Sequence, residues 1–148
     1  MSAYFDKLPV ATQAKAMGAF NLAMGLGLII RLATLSIIGP RIAPEFKAAF
    51  MPYGFTITLI IESLFGVLSL VVGLSLITKK AKTCIVPGIV LSVLFVIYSG
   101  IGAFLSFNPN YSFPLKAICF AGPLAIIWVY GQQAIYLFGP IRQYLQNA

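Results

Sequence analysis

A helix that crosses the ~30 Å hydrocarbon core of a bilayer needs about 20 consecutive apolar residues. This chain has four such runs, at about 17–38, 53–77, 85–107 and 115–138, separated by short polar breaks. In lipid the backbone must satisfy its own hydrogen bonds, so runs of this length fold as helices, and short connections make successive helices antiparallel neighbours. The expected fold class is therefore all-α: an integral membrane four-helix transmembrane bundle, with residues 1–148 as one membrane domain.

A short interfacial helix is expected at about 43–51, between spans one and two. Ile42, Phe46 and Phe50 recur every four residues there while Arg41, Glu45 and Lys47 point elsewhere, and Pro44 and Glu45 suit a helix start. The remaining punctuation agrees. Gly39-Pro40 stops the first span and Gly139-Pro140 the fourth; Pro87 is expected in the first turn of the third, and Gly122-Pro123 should kink the fourth. The first apolar run also exceeds the ~7 to 15 residues of a signal-peptide core.

Composition excludes most other classes. Of 148 residues, 60% are hydrophobic and 9% charged, where a soluble domain carries about 25% charged residues. The mean hydropathy is +0.97. The net charge of +7 does not point to nucleic acid, because the basic residues are scattered between apolar runs and form no patch able to follow a phosphate backbone. They orient the helices and touch lipid head groups, Lys79, Lys80 and Lys82 above all. Cys84 and Cys119 are far apart and make no C-x-x-C motif, and histidine is absent. No cofactor, no metal site and no catalytic constellation is expected, so the chain does not read as an enzyme.

The loops set an orientation. The N-terminus, the loop between spans two and three, and the C-terminus share one side, which collects Lys7, Lys15, Lys79, Lys80, Lys82 and Arg142. The other side has Arg41, Lys47 and Lys116. The asymmetry makes both termini cytoplasmic in a bacterial inner membrane, or matrix-side or cytosolic in an organelle membrane.

Arg31 and Glu62 are the charged residues deep inside the apolar runs, Lys116 standing at the edge of the fourth. Arg31 sits about 10 Å below the end of span one, and Glu62 about 13 Å below the start of span two, at ~1.5 Å per residue. Antiparallel neighbours bring them to one level, where a guanidinium and a carboxylate form a charge-assisted pair. Small residues mark the expected packing faces. Thr58, Glu62, Gly66, Ser69 and Gly73 share one side of span two, and Ala19, Ala23, Gly27 and Arg31 step by four along span one. Gly88, Ser92, Phe95, Ser99, Gly102 and Ser106 follow a heptad rhythm in span three. In span four, Trp128, Gln132 and Gln133 are candidates for a ligand or partner contact, with Trp128 expected to be buried against another helix or subunit.

The function these features imply is a non-catalytic accessory or assembly subunit of a larger membrane complex, with Arg31 and Glu62 as a structural ion pair. The alternative is a small homo-oligomeric proton- or ion-coupled transporter or channel using Glu62. The partners implied are membrane lipids and other membrane subunits or further copies of the chain.

Overall fold

The computed structural model describes residues 3–147, and the regular structure among them is entirely helical. Helix α1 (Val10–Ile38) begins well before the apolar run, because the carbonyl of Pro9 accepts from the amides of Thr12 and Gln13 and starts the first turn. The Gln13 side chain then donates to the carbonyls of Phe5 (3.0 Å) and Leu8 (3.2 Å), clamping the 3-10 turn Phe5–Lys7 onto the helix. After α1 a 3-10 turn, Gly39–Arg41, leads into α2 (Pro44–Phe50), whose proline occupies the first turn, where its missing amide costs nothing. Tyr111 donates to the carbonyl of Glu45 at 2.9 Å and so ties the next loop at this end to α2.

Helix α3 (Phe55–Ile77) is preceded by Gly54 at φ 83°, a left-handed backbone that a side chain would strain. Tyr53 therefore lies in the turn, not in the helix as the apolar run suggested. At the other end α3 closes with Lys79 at φ 58° and the Lys80 amide bonded to the carbonyl of Ser75 at 2.9 Å, the pattern of a Schellman cap. That tight cap lets α4 (Ala81–Ser106) start at once. Pro87 consequently stands in the second turn of α4, not the first, and deprives the carbonyl of Thr83 of its helical donor.

Helix α5 (Phe113–Phe138) runs through Pro123. At Gly139 the chain turns, and Pro140 opens a further helix, α6 (Pro140–Gln146), which the sequence reading did not anticipate. Ile141 and Leu145, one turn apart, are buried beneath the bundle while Arg142 and Gln146 stay exposed.

The four long helices are long and apolar enough to cross a membrane, and they form the bundle of an integral membrane protein. They pack in the order α1, α3, α4, α5: α1 lies along α3, α3 against α4, and α4 along α5. The α1–α3 seam is glycine on glycine. A Cβ on Gly73 would lie 2.8 Å from the carbonyl oxygen of Gly18, and one on Gly25 would lie 2.9 Å from that of Gly66. Backbones this close gain dispersion along the whole seam, the main attraction between helices already in hydrocarbon.

Gly27 is not part of it. The face expected from Ala19, Ala23, Gly27 and Arg31 turns outward: the first three are exposed, and a Cβ on Gly27 would meet nothing within 4 Å. Steps of four drift about 40° each around a helix, whereas the buried set, Gly18, Asn21, Gly25, Leu28, Leu32 and Leu35, alternates threes and fours and stays on one side. Gly66, Gly73, Ser92, Ser99 and Gly102 do lie on packed faces; Gly102 abuts the ring of Tyr53 at 3.4 Å for an added Cβ.

Candidate functional site

The glycine seam fixes a register with a chemical consequence. Seven residues forward on α1 from Gly18 and seven back on α3 from Gly73 comes the pair Gly25 and Gly66. Six further forward and four further back stand Arg31 and Glu62. Arg31 Nη2 lies 3.1 Å from Glu62 Oε1. The same nitrogen donates to the carbonyl of Phe50 at 2.7 Å, so the last residue of α2 is held to α1 as well.

A third helix joins through Tyr98 of α4, whose hydroxyl donates to Glu62 Oε1 at 2.9 Å. The backbone carbonyl of Tyr98 in turn accepts from the hydroxyl of Tyr53 at 2.5 Å, and the two rings stack with centroids 4.6 Å apart. Glu62 is 4% exposed. Its Oε1 thus serves two donors, while its Oε2 is buried with no hydrogen-bond partner among the described residues.

Beside this cluster is a cavity of about 660 Å³, open sideways between α1 and α5 in the half of the bundle nearer α2. Two of the residues that face the gap, Gly27 and Gly122, carry no side chain to fill it, and a Cβ on either would meet nothing within 4 Å. Its wall is otherwise mostly apolar, with Leu28, Phe95, Ile118 and Ile126 among the lining groups, and Arg31, Glu62, Tyr98 and Ser99 supply the polar ones. Gly27 therefore shapes an opening instead of a helix contact.

Toward the other end the bundle closes. Asn21 of α1 donates to Gln133 Oε1 of α5 at 2.6 Å, Gln133 Nε2 donates to Ser92 of α4 at 3.0 Å, and Ser92 donates to the carbonyl of Gly88. Between this amide cluster and Glu62 stand stacked rings: Phe65 on Phe95 at 4.5 Å, and Phe95 on Tyr130 at 4.5 Å. Gln133, 1% exposed, is thus committed to helix neighbours, not free for a ligand. Gln132 is half-buried, and Trp128 is 53% exposed, so among the described residues no neighbouring helix buries it, which leaves a further subunit as the other cover expected for it.

At the end carrying residues 3 and 147, Lys79, Lys80 and Lys82 line an open pocket of about 780 Å³ with Arg142, Thr83 and Gln146. The Lys79 ammonium sits over the Tyr144 ring, 5.3 Å from its centroid. Cys84 and Cys119 are both free thiols and buried.

Sequence reasoning missed Tyr98, Tyr53 and Asn21. A signal existed for each. Tyr98, well inside an apolar span, needs a partner for its hydroxyl, Tyr53 is an aromatic with a polar tip at a span's edge, and Asn21 is an amide in phase with Gly18 and Gly25. No protein-family profile, curated protein or solved structure matches this sequence.

Proposed function

We propose that this small membrane protein is a non-catalytic accessory or assembly subunit of a larger membrane complex, in which the Arg31–Glu62 pair acts as a register lock between the first two spans. The observation that carries this reading is how the polar side chains in the bundle are spent. Arg31, Glu62 and Tyr98 bind α1, α3 and α4 to one another, Asn21, Gln133 and Ser92 bind α1, α5 and α4, and the Phe65–Phe95–Tyr130 stack fills the space between the two groups. Such an arrangement resists shear between helices and offers no continuous polar route along the bundle. Trp128, exposed on the outer face of α5, provides an aromatic anchor of the kind that interfaces between subunits concentrate.

The positive cluster at Lys79, Lys80, Lys82 and Arg142 supports an orientation with both termini on the cytoplasmic or matrix side, where it meets anionic lipid head groups. The test is withdrawal of the protein from its native membrane, followed by native electrophoresis and mass spectrometry. The reading predicts that one multi-subunit assembly of fixed composition fails to reach full size and that Trp128→Ala reproduces part of the failure. A purified homodimer or homotrimer, with every membrane assembly intact after withdrawal, overturns it.

A second reading has one observation in its favour. Glu62 Oε2 has no donor, and the residue borders an open cavity, as an acid that takes up a proton or cation in a homo-oligomeric transporter would. Proton-coupled uptake into vesicles that is abolished by Glu62→Gln, with folded yield unchanged, would favour that role over the first.

A further inference from the structure

We propose that the cavity between α1 and α5 binds a neutral long-chain lipid carrying a free hydroxyl group, with the hydroxyl donating to Glu62 Oε2 and accepting from the guanidinium of Arg31. The inference is independent of whether the protein serves a larger complex.

Size decides the kind of occupant. About 660 Å³ falls within the ~300 to 1,000 Å³ of small-molecule sites. A membrane-spanning helix, about 30 Å long and ~10 Å across, needs several times that volume. The cavity's lining residues Gly27 and Thr34 of α1 and Ile118 and Gly122 of α5 are exposed on the flank of two membrane-spanning helices, so the entrant arrives from the bilayer. Its wall, formed by groups such as Leu28, Leu35, Phe95, Ile118 and Ile126, suits an alkyl or isoprenoid chain.

Two unsatisfied functions decide the head group. Glu62 Oε2 is a buried acceptor without a donor, and a polar atom left so is costly in a medium that offers no water. The terminal torsion of a glutamate is broad, so a partial turn of the carboxylate brings Oε2 toward the cavity the residue lines while the donors Arg31 and Tyr98 realign on Oε1. On Arg31, the hydrogen bonds to Phe50 and Glu62 both use Nη2, and the side chain remains 36% exposed at the cavity wall. The site therefore needs one donor and offers further N–H groups. A hydroxyl is both donor and acceptor. A carboxylate head would bring a second negative charge beside Glu62, an ammonium head a second positive charge beside Arg31, and an ether or ester has nothing to donate. The charges of Arg31 and Glu62 cancel, which leaves the site without the net charge that would hold an ionic head group.

The test uses the purified full chain in mild detergent and a photoreactive long-chain alcohol carrying a diazirine on its tail, with labelled peptides mapped by mass spectrometry. Labelling is expected on the cavity faces of α1 and α5, near Leu28 and Ile118. Oleyl alcohol should compete about tenfold better than oleyl methyl ether, the effect of one hydrogen bond of ~1.4 kcal/mol; oleic acid ionised at pH 8 should compete no better than the ether. Glu62→Gln puts an amide N–H where the needed acceptor was, and because alcohol and ether oxygens both accept, it should erase the preference, so that the two compete equally. Gly122→Leu fills the cavity at a position where an added Cβ meets nothing within 4 Å, and should abolish the labelling while the protein stays monodisperse and fully helical. Equal competition by alcohol and ether on the unmodified protein overturns the proposal, as does a preference for the alcohol that survives Glu62→Gln, or labelling spread evenly over the lipid-facing surface or unchanged in Gly122→Leu.

Discussion

Asn21 and Gln133 meet at 2.6 Å although 112 positions separate them, and theirs is the side-chain hydrogen bond that ties the first long helix to the last. The α2-proximal halves of the same two helices flank the cavity, so this bond joins them at the end where the gap is closed. Removing either amide should loosen the closed end. Asn21→Ala and Gln133→Ala are expected each to lower the unfolding free energy in detergent, with a coupling of about 0.5–1.5 kcal/mol in the double-mutant cycle. A coupling near zero would mean that the two helices are held together by packing alone.

The α1–α3 seam makes a sharper prediction because two glycines on one face should behave differently. At Gly73 a methyl group would strike backbone atoms, the carbonyl oxygen of Gly18 at 2.8 Å and the amide of Leu22 at 2.9 Å. At Gly66 the nearest atom is 3.6 Å away, an ordinary contact. Gly73→Ala is therefore expected to cost about 1–3 kcal/mol, the usual range for overpacking, and Gly66→Ala to cost little or to stabilise by a few tenths through helix propensity. Thermal denaturation of the two variants side by side checks the contrast.

How far such features can be read from sequence depends on which physical quantity sets them. The number of spans and the level of Arg31 and Glu62 follow from run length and a fixed rise per residue, and both are available in one dimension. The angular placement of a face is less forgiving. Gly27 sits two residues from Gly25, yet the 200° between them puts one on the seam and the other on the cavity. Tyr98 and Asn21 are single polar groups in apolar runs, and only the facing helices show that Glu62 and Gln133 are their partners. Helix α6 has too few residues for periodicity to stand out, and its Ile141 and Leu145 become meaningful once the bundle floor above them is in place. The cavity exists because α1 and α5 separate, a tertiary fact with no local signature.

For the ion pair, breaking and exchanging the charges should differ. Arg31→Ala leaves the buried Glu62 without its cation, and Glu62→Ala leaves Arg31 and Tyr98 without their shared acceptor. Removing one partner of a buried pair typically costs about 3–5 kcal/mol. Arg31's partial exposure places its loss toward the lower end. Folded yield should fall in both single variants, and the exchange Arg31→Glu with Glu62→Arg should recover part of it. Recovery will be incomplete, because the carbonyl of Phe50 and the hydroxyl of Tyr98 are placed for the original arrangement. No recovery at all would show that the individual sites, and not the attraction between them, set the stability.

The basic turn between α3 and α4 gives a prediction about insertion. Lys79, Lys80 and Lys82 are half of the six basic residues on the side shared by residues 3 and 147, against Arg41, Lys47 and Lys116 opposite. Replacing all three with glutamine leaves three positive charges on each side and removes the bias that orients short loops. The variant should insert in both orientations, read by membrane-impermeant labelling of a cysteine introduced at Thr78 in a background lacking Cys84 and Cys119. Lys79 alone carries a further effect: its left-handed φ of 58° disfavours any side chain, so Lys79→Gly should relieve about 1 kcal/mol of strain while keeping two of the three charges. That single variant should therefore be more heat-stable yet still uniformly oriented, which separates the role of the turn's geometry from the role of its charge.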